Sequence, residues 1–235
     1  MFSFIWKGRD SLRDYGLWIQ KLPNRIRPKE KYKTVDIPGR SGSLILLEGE
    51  DVYAPYDDEM VVVCPNTIPI DPVIEWLRGS SELVLSNDMD KARPARIVNE
   101  VTFERDGNSL LVGTIPFFFQ PFRKSRFPEQ TDRVTFSGAS KTVVNPGDVG
   151  SRPKVSITGS GNNTITFGTQ AMSFTGISGT IVVDCDAEII TKNGAIWTGS
   201  GTGSTGDFWK IPTGSITITQ TGSMTIVVDP GWRWL

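Results

Sequence analysis

The stretch Lys154-Val155-Ser156-Ile157-Thr158-Gly159-Ser160-Gly161-Asn162-Asn163-Thr164-Ile165-Thr166-Phe167 decides the character of the chain. Two β-branched runs, Lys154–Thr158 and Thr164–Phe167, flank Gly-Ser and Gly-Asn-Asn turn signals, and neither run has helical periodicity. Thr180–Val183, Ser215–Thr219 and Met224–Val228 repeat the pattern, with Thr-Gly-Ser turns close by. Short strands with this turn chemistry predict a β-sandwich or barrel.

Upstream the composition changes. Of the 25 Lys/Arg and 26 Asp/Glu, 18 and 19 fall before residue 131, which leaves the remainder rich in Ser, Thr and Gly. The first part mixes strands with one short helix. Asp71 can cap it, Pro72 suits its first turn, Val73, Trp76 and Leu77 share a face, and Gly79 stops it. Strand candidates are Phe2–Trp6, Tyr32–Ile37, Ser43–Leu47, Met60–Cys64, Glu82–Leu85, Ala95–Glu104 and Ser109–Phe119. Pro38-Gly39-Arg40-Ser41-Gly42 reads as one hairpin turn and Arg105-Asp106-Gly107-Asn108 as another, the Asp-Gly pair being a strong hairpin signal. The second hairpin looks long on both sides, so residues 105–108 are an expected inter-subunit contact. The charged, proline-bounded segment Gln120–Pro128 reads as a boundary, giving domains 1–128 and 129–235. The fold class is therefore mainly β, with one short helix in the first part and a sandwich in the second.

Several function classes are excluded by composition. The formal net charge of −1 provides no basic excess for gripping nucleic acid. The cluster Arg25, Arg27, Lys29, Lys31 and Lys33 is broken by Pro28 and Glu30 and reads as a solvated loop or strand edge. The chain has no histidine, which removes every Ser-His-Asp, Cys-His and His-metal arrangement. Cys64 and Cys185 cannot make a zinc site without such partners and read as reduced core residues. The N-terminus lacks the pattern of a signal peptide, and no stretch reaches the roughly 18 apolar residues of a span, so synthesis in a cytoplasm and no membrane insertion are expected.

Four candidate chemistries remain, each with a structural alternative. Gly201-Thr202-Gly203-Ser204-Thr205-Gly206 matches GxGxxG, but the following Asp207–Pro212 cannot start the helix that a dinucleotide needs, so it reads as a surface loop. Asp184, Asp186 and Glu188 alternate as Ca²⁺ ligands could on a strand. They also fit the wet side of a strand that buries Val183, Cys185 and Ala187, which is the favoured reading. Glu48, Glu50, Asp51, Asp57, Asp58 and Glu59 form an acidic loop with Tyr53 and Tyr56. A paired-carboxylate glycosidase is conceivable there, but a contiguous acidic loop favours solvent or a neighbouring subunit over a walled pocket with one raised pKa. Trp197 and Trp209 are either a sugar platform or core, and core is favoured. The aromatic Asp229–Leu235 segment is expected to dock onto a core. No catalytic residue, cofactor or metal site is assigned.

The order of several motifs carries a resemblance. Phe4–Ile19, Val35-Asp36-Ile37-Pro38-Gly39-Arg40-Ser41-Gly42-Ser43-Leu44 and Phe117-Phe118-Phe119-Gln120-Pro121-Phe122 resemble, in turn, the opening, a Val-Pro-Gly-Arg-Asp-Gly hairpin and the Cys-x-Pro-Phe end of the first domain of bacteriophage distal tail proteins. Ser41 stands where that family often has Asp, and this copy has no Cys in the last motif. Val144-Asn145-Pro146-Gly147, Arg152–Gly159 and Met224–Arg233 resemble the beginning and end of the family's galectin-like domain.

The resemblance implies a non-enzymatic hexameric ring at the distal end of the tail of a virion, made in the host cytoplasm. The first domains would surround a channel for DNA in transit, and the second, galectin-like domains would face outward. Partners would be the major tail tube protein, the tail-associated (spike) protein, and receptor-binding or other baseplate proteins. The length suggests a short form without an inserted carbohydrate-binding module. Residues 48–59 are a candidate acidic lumen or inter-subunit loop, because a strongly basic conduit would retain DNA. The competing reading is an adhesin whose second domain binds cell-wall saccharide through Trp197, Trp209 or the 199–207 loop. The histidine usual in galectin sites is absent, and fold alone does not carry function.

Overall fold

The computed structural model describes residues 1–107, 109–197, 201–203 and 208–235. Contacts divide the chain into two compact units, Met1–Arg126 together with Leu235, and Phe127–Trp234.

The first unit contains strands β1 (Phe4–Trp6) and β2 (Arg9–Asp10), helix α1 (Ser11–Tyr15), strands β3 (Trp18–Lys21), β4 (Tyr32–Asp36), β5 (Ser43–Leu47) and β6 (Tyr56–Pro65), and helix α2 (Ile70–Leu77). Strands β7 (Gly79–Leu85), β8 (Lys91–Ile97), β9 (Thr102–Asp106), β10 (Leu110–Phe119) and β11 (Lys124–Ser125) complete it. Its main sheet runs β2-β1-β7-β8-β10-β6-β3, with β11 on β8 and β9 on β10. Strand β10 pairs with β6 along its whole length, from Leu110↔Pro65 to Phe119↔Tyr56. Its other edge is shared, β9 covering Leu110–Thr114 and β8 only Phe118 and Phe119. The single strand expected over Ala95–Glu104 is thus two strands, β8 and β9, interrupted at residues 98–101.

Alternation builds the core of this unit. Ile115, Phe117 and Phe119 of β10 are buried with Met60, Val62 and Cys64 of β6 and Phe4 and Trp6 of β1. Helix α2 covers this face with Val73, Trp76 and Leu77, the three residues expected there. Its start differs from expectation. Asp71 lies inside the first turn, Pro69 holds the N-cap position, and the helix has no side-chain cap. The packed face, more than local capping, holds so short a helix.

A second short helix, α1, was not expected from the sequence. Asp10 Oδ1 accepts from the backbone N–H of Leu12 and Arg13, both at 2.9 Å, and Gly16 closes the helix at φ +65. The two caps satisfy enough terminal groups for one turn to persist.

The second unit opens with α3 (Pro128–Thr131), followed by β12 (Val134–Phe136), β13 (Ser140–Asn145), β14 (Lys154–Phe167), β15 (Gln170–Asp184), β16 (Ile189–Lys192), β17 (Ala195–Ile196), β18 (Gly201–Gly203), β19 (Gly214–Gln220) and β20 (Thr225–Asp229). The Lys154–Phe167 stretch is one strand, not two joined by a turn. β14 pairs with β15 from Lys154↔Asp184 to Phe167↔Gln170, with a register shift between Gly161 and Asn163. The Gly-Asn-Asn signal therefore marks a bulge, which uses the same permissive residues as a turn.

On either side of the bulge the partners change. Residues Lys154–Thr158 lie against β20, and Ile165–Phe167 lie against β19. One layer is β12-β20-β14-β15-β16-β17, and the other adds β13, β19 and β18 to the opposite halves of β14 and β15. This is a β-sandwich whose two longest strands serve both layers. Val155, Ile157, Ile165, Phe167, Phe174, Ile181 and Val183 alternate inward, packed with Trp209 and Trp232. The docking expected of the Asp229–Leu235 segment is seen at Trp232, which is 5% exposed.

Candidate functional site

Strands β4 and β5 form a separate two-stranded sheet, registered from Tyr32↔Leu47 to Asp36↔Ser43, that pairs with no other described strand. All ten residues are exposed, including Val35, Leu44, Ile45, Leu46 and Leu47, with Ile45 at 61% and Leu47 at 59%. The base is held. Lys31 N–H donates to the Val52 carbonyl at 2.9 Å, Ala54 N–H to that of Lys29 at 2.8 Å, and buried Tyr53 meets Phe122 edge-on. At the far end Ser43 Oγ donates to Asp36. An isolated two-stranded ribbon is marginal in water, and apolar residues on both of its faces are an association surface. The unbroken run Leu44-Ile45-Leu46-Leu47 carried that signal, because a strand with a solvent face alternates.

The hairpin around residues 105–108 is built differently. Arg105, Asp106 and Gly107 are exposed at the β9–β10 turn, and Asn108 lies outside the described residues. Behind them β10 is embedded in the main sheet, and the Phe103 ring of β9 lies over Gly113, where an added Cβ would sit 2.4 Å from Phe103 Cε1. Residues 105–107 are exposed, but the strands behind them belong to the unit's own fold.

The acidic segment is split. Glu48, Glu50 and Asp51 follow β5, whereas Asp57, Asp58 and Glu59 are the second to fourth residues of β6. Asp58 accepts from Asn24 N–H at 2.6 Å and from Asn24 Nδ2 at 3.0 Å, and Glu59 pairs with Lys21 at 3.3 Å. The six carboxylates do not form one contiguous loop, since the ladder between β6 and β10 claims the second three.

In the second unit, β15 ends at Asp184, and residues 185–188 turn. The expected alternation on one strand is corrected accordingly, and Ala187 is exposed. Each carboxylate has its own cation: Lys154 on Asp184 and Arg152 on Glu188, both at 2.8 Å, and Arg233 on Asp186 at 2.7 Å. Burial opposes the charge on Asp184, but the Lys154 ammonium and the N–H groups of Ala187 and Asp186 hold its pKa below the ordinary value. Among the described residues, no group of three or more His, Cys, Asp and Glu is placed to hold a metal ion.

Trp209 is buried and stacks on Phe167 with ring centroids 4.7 Å apart, which closes it to a saccharide. Trp197 packs partly buried against the same core. Of the GxGxxG match, Gly201–Gly203 pair with β15 as β18, and Ser204–Gly206 lie outside the described residues, as do 199, 200 and 207 of the loop considered for sugar binding. Cys64 and Cys185 are both free and buried in separate units, and burial pushes the Cys185 thiol up to about 12. Among the described residues, no helix is long and apolar enough to cross a membrane.

No protein-family model matches the chain, and no curated protein sequence matches it. Its fold is similar to the crystal structure of the SPP1 Dit (gp 19.1) protein, described as a paradigm of the hub adsorption apparatus in phages infecting Gram-positive bacteria. The TM-score is 0.74 at 16% identity, and the likeness covers 100% of both chains. The two-unit, mainly β architecture is thus similar to that of the SPP1 Dit protein over the full length of both chains.

Proposed function

We propose that this chain is a structural protein of a phage tail tip, assembling as a hexameric ring at the distal end of the tail. The likeness to the SPP1 hub protein across the full length of both chains carries this reading. The exposed apolar hairpin β4–β5 supplies a surface of the kind that ring closure requires, since a heterologous contact repeated around an axis needs one protruding patch per copy. Residues 1–128 would build the ring around a channel, and residues 129–235 would face outward. The tail tube protein would dock on one ring face and the tail-associated spike protein on the other. Receptor-binding or other baseplate proteins would attach to the outer unit.

Residues 105–108, of which Arg105, Asp106 and Gly107 are exposed, are a second inter-subunit candidate in this arrangement. The carboxylates of residues 48–59 are candidates for the channel wall, where negative charge would keep transiting DNA from binding. Native mass spectrometry of the purified chain tests the assembly, with negative-stain imaging of the same sample. Closed six-fold rings are expected. A monomer at all concentrations, stabilised instead by cell-wall glycan, would favour the adhesin.

A further inference from the structure

The main sheet of the first unit has two faces, and helix α2 covers one of them. The other carries the residues of β10 that alternate with the core, among them Pro116 and Phe118, both half-buried. Two shallow grooves cross it. One, of about 500 Å³, is lined by Phe118, Pro94, Glu82 and Arg96, and the other, of about 630 Å³, by Pro116, Thr102 and Glu100. Glu104 stands opposite Val112 on the same face. Glu82, Glu100 and Glu104 are exposed and have no ion pair among the described residues. Arg96 is the one cation that lines either groove. The surface is thus partly apolar at its centre and mainly acidic at its rim.

The hairpin β4–β5 has the opposite charge. Residues 25–47 carry six Lys/Arg and two Asp/Glu. Lys33 stands opposite Leu46 and Val35 opposite Leu44, so these four side chains share one face of the ribbon, and Lys31 precedes Lys33 by one strand repeat. All five are exposed, and neither lysine has an ion pair among the described residues. Apolar centres with rims of opposite charge attract and fix a register, whereas rims of like charge repel. We propose that the basic face of the hairpin of one copy docks on the acidic outer face of the main sheet, at β7–β10, of the next copy. Each copy offers one hairpin and one sheet face, so the contact is heterologous and can close into a ring. It rests on the ring reading and names both sides of its contact.

Charge reversal tests the contact, read by native mass spectrometry of the full-length chain. Lys31→Glu with Lys33→Glu, or Glu82→Lys with Glu104→Lys, should each raise the concentration needed for rings by at least about tenfold. All four positions are exposed, so both variants should keep the parent's urea midpoint. Mixing the two should restore rings that contain both in equal numbers, because an acidic hairpin then meets a basic sheet face and the reverse. Rings that form normally in either variant, or that fail to return in the mixture, would overturn this contact and leave the ring reading intact. Unchanged rings in the hairpin variant, with short duplex DNA retained by the parent alone, would assign the basic face to nucleic acid instead. A parent chain that never forms rings would overturn both.

Discussion

Trp76 Nε1–H donates to the main-chain oxygen of Trp6 at 2.9 Å, tying α2 to a strand 70 positions earlier. The indole also lies between two rings, Tyr15 with its centroid at 4.3 Å and Phe4 at 5.5 Å. One side chain thus combines a directional bond with large apolar burial, and it holds both helix and strand in place. Trp76→Phe keeps most of the packing but removes the donor, and is expected to cost about 1–2 kcal/mol. Trp76→Ala removes both, at about 3–5 kcal/mol. Urea unfolding of the two variants measures the difference, and equal losses would mean that the hydrogen bond contributes nothing.

Gly113 faces Phe103 across the β9–β10 ladder with no space for a methyl group. Gly113→Ala should push the ring aside and destabilise the protein by about 1–3 kcal/mol. Combined with Phe103→Ala, the same change should cost markedly less than the sum of the two single variants, because the clash is then absent. Strict additivity in thermal or urea unfolding would show that the ring does not sense position 113.

Ile45 and Leu47 point to one face of a hairpin that buries neither. Replacing both with Asp should alter the stability of the isolated chain by no more than about 0.5 kcal/mol per site. If the chain assembles as proposed, the same variant should shift the native mass spectrum from six-fold rings to monomer. Rings that persist unchanged would remove this hairpin from the assembly interface.

Cys185 gives an alkaline signature. Its thiol is raised from an ordinary 9.0 to about 12 by burial, so the folded state retains a proton that the unfolded chain releases. The sign follows from linkage: stability is unaffected below about pH 8 and falls as pH rises from about 9 towards 12, by about 1.4 kcal/mol per pH unit. Urea midpoints at pH 8 to 11 should fall more steeply in the native sequence than in Cys185→Ala. Parallel curves would indicate that the thiol ionises without unfolding.

Most strands could be read from alternation, since burial on one face writes itself into the residue order, as at Ile115, Phe117 and Phe119. What could not be read depends on distant partners. Gly161 and Asn163 have the chemistry of both a turn and a bulge, and only the strand opposite selects between them. Asp184, Asp186 and Glu188 alternate, but β15 stops at the first of them, where the N–H groups of Asp186 and Ala187 bond the Asp184 carboxylate. Leu44–Leu47 announced a strand, whereas their exposure on both faces depends on what the rest of the unit leaves uncovered. Arg93 gave no local sign at all: it is a charged residue in the middle of β8, yet only 7% of it is exposed.

Because β14 and β15 each run through both layers of the sandwich, neither layer has a complete set of strands of its own. Peeling one sheet away would tear the same two strands out of the other. The second unit is therefore expected to open as a single block, and a pull at β12 would be transmitted along continuous backbone to β13 and β19. Such a joint passes load without a weak seam between its layers.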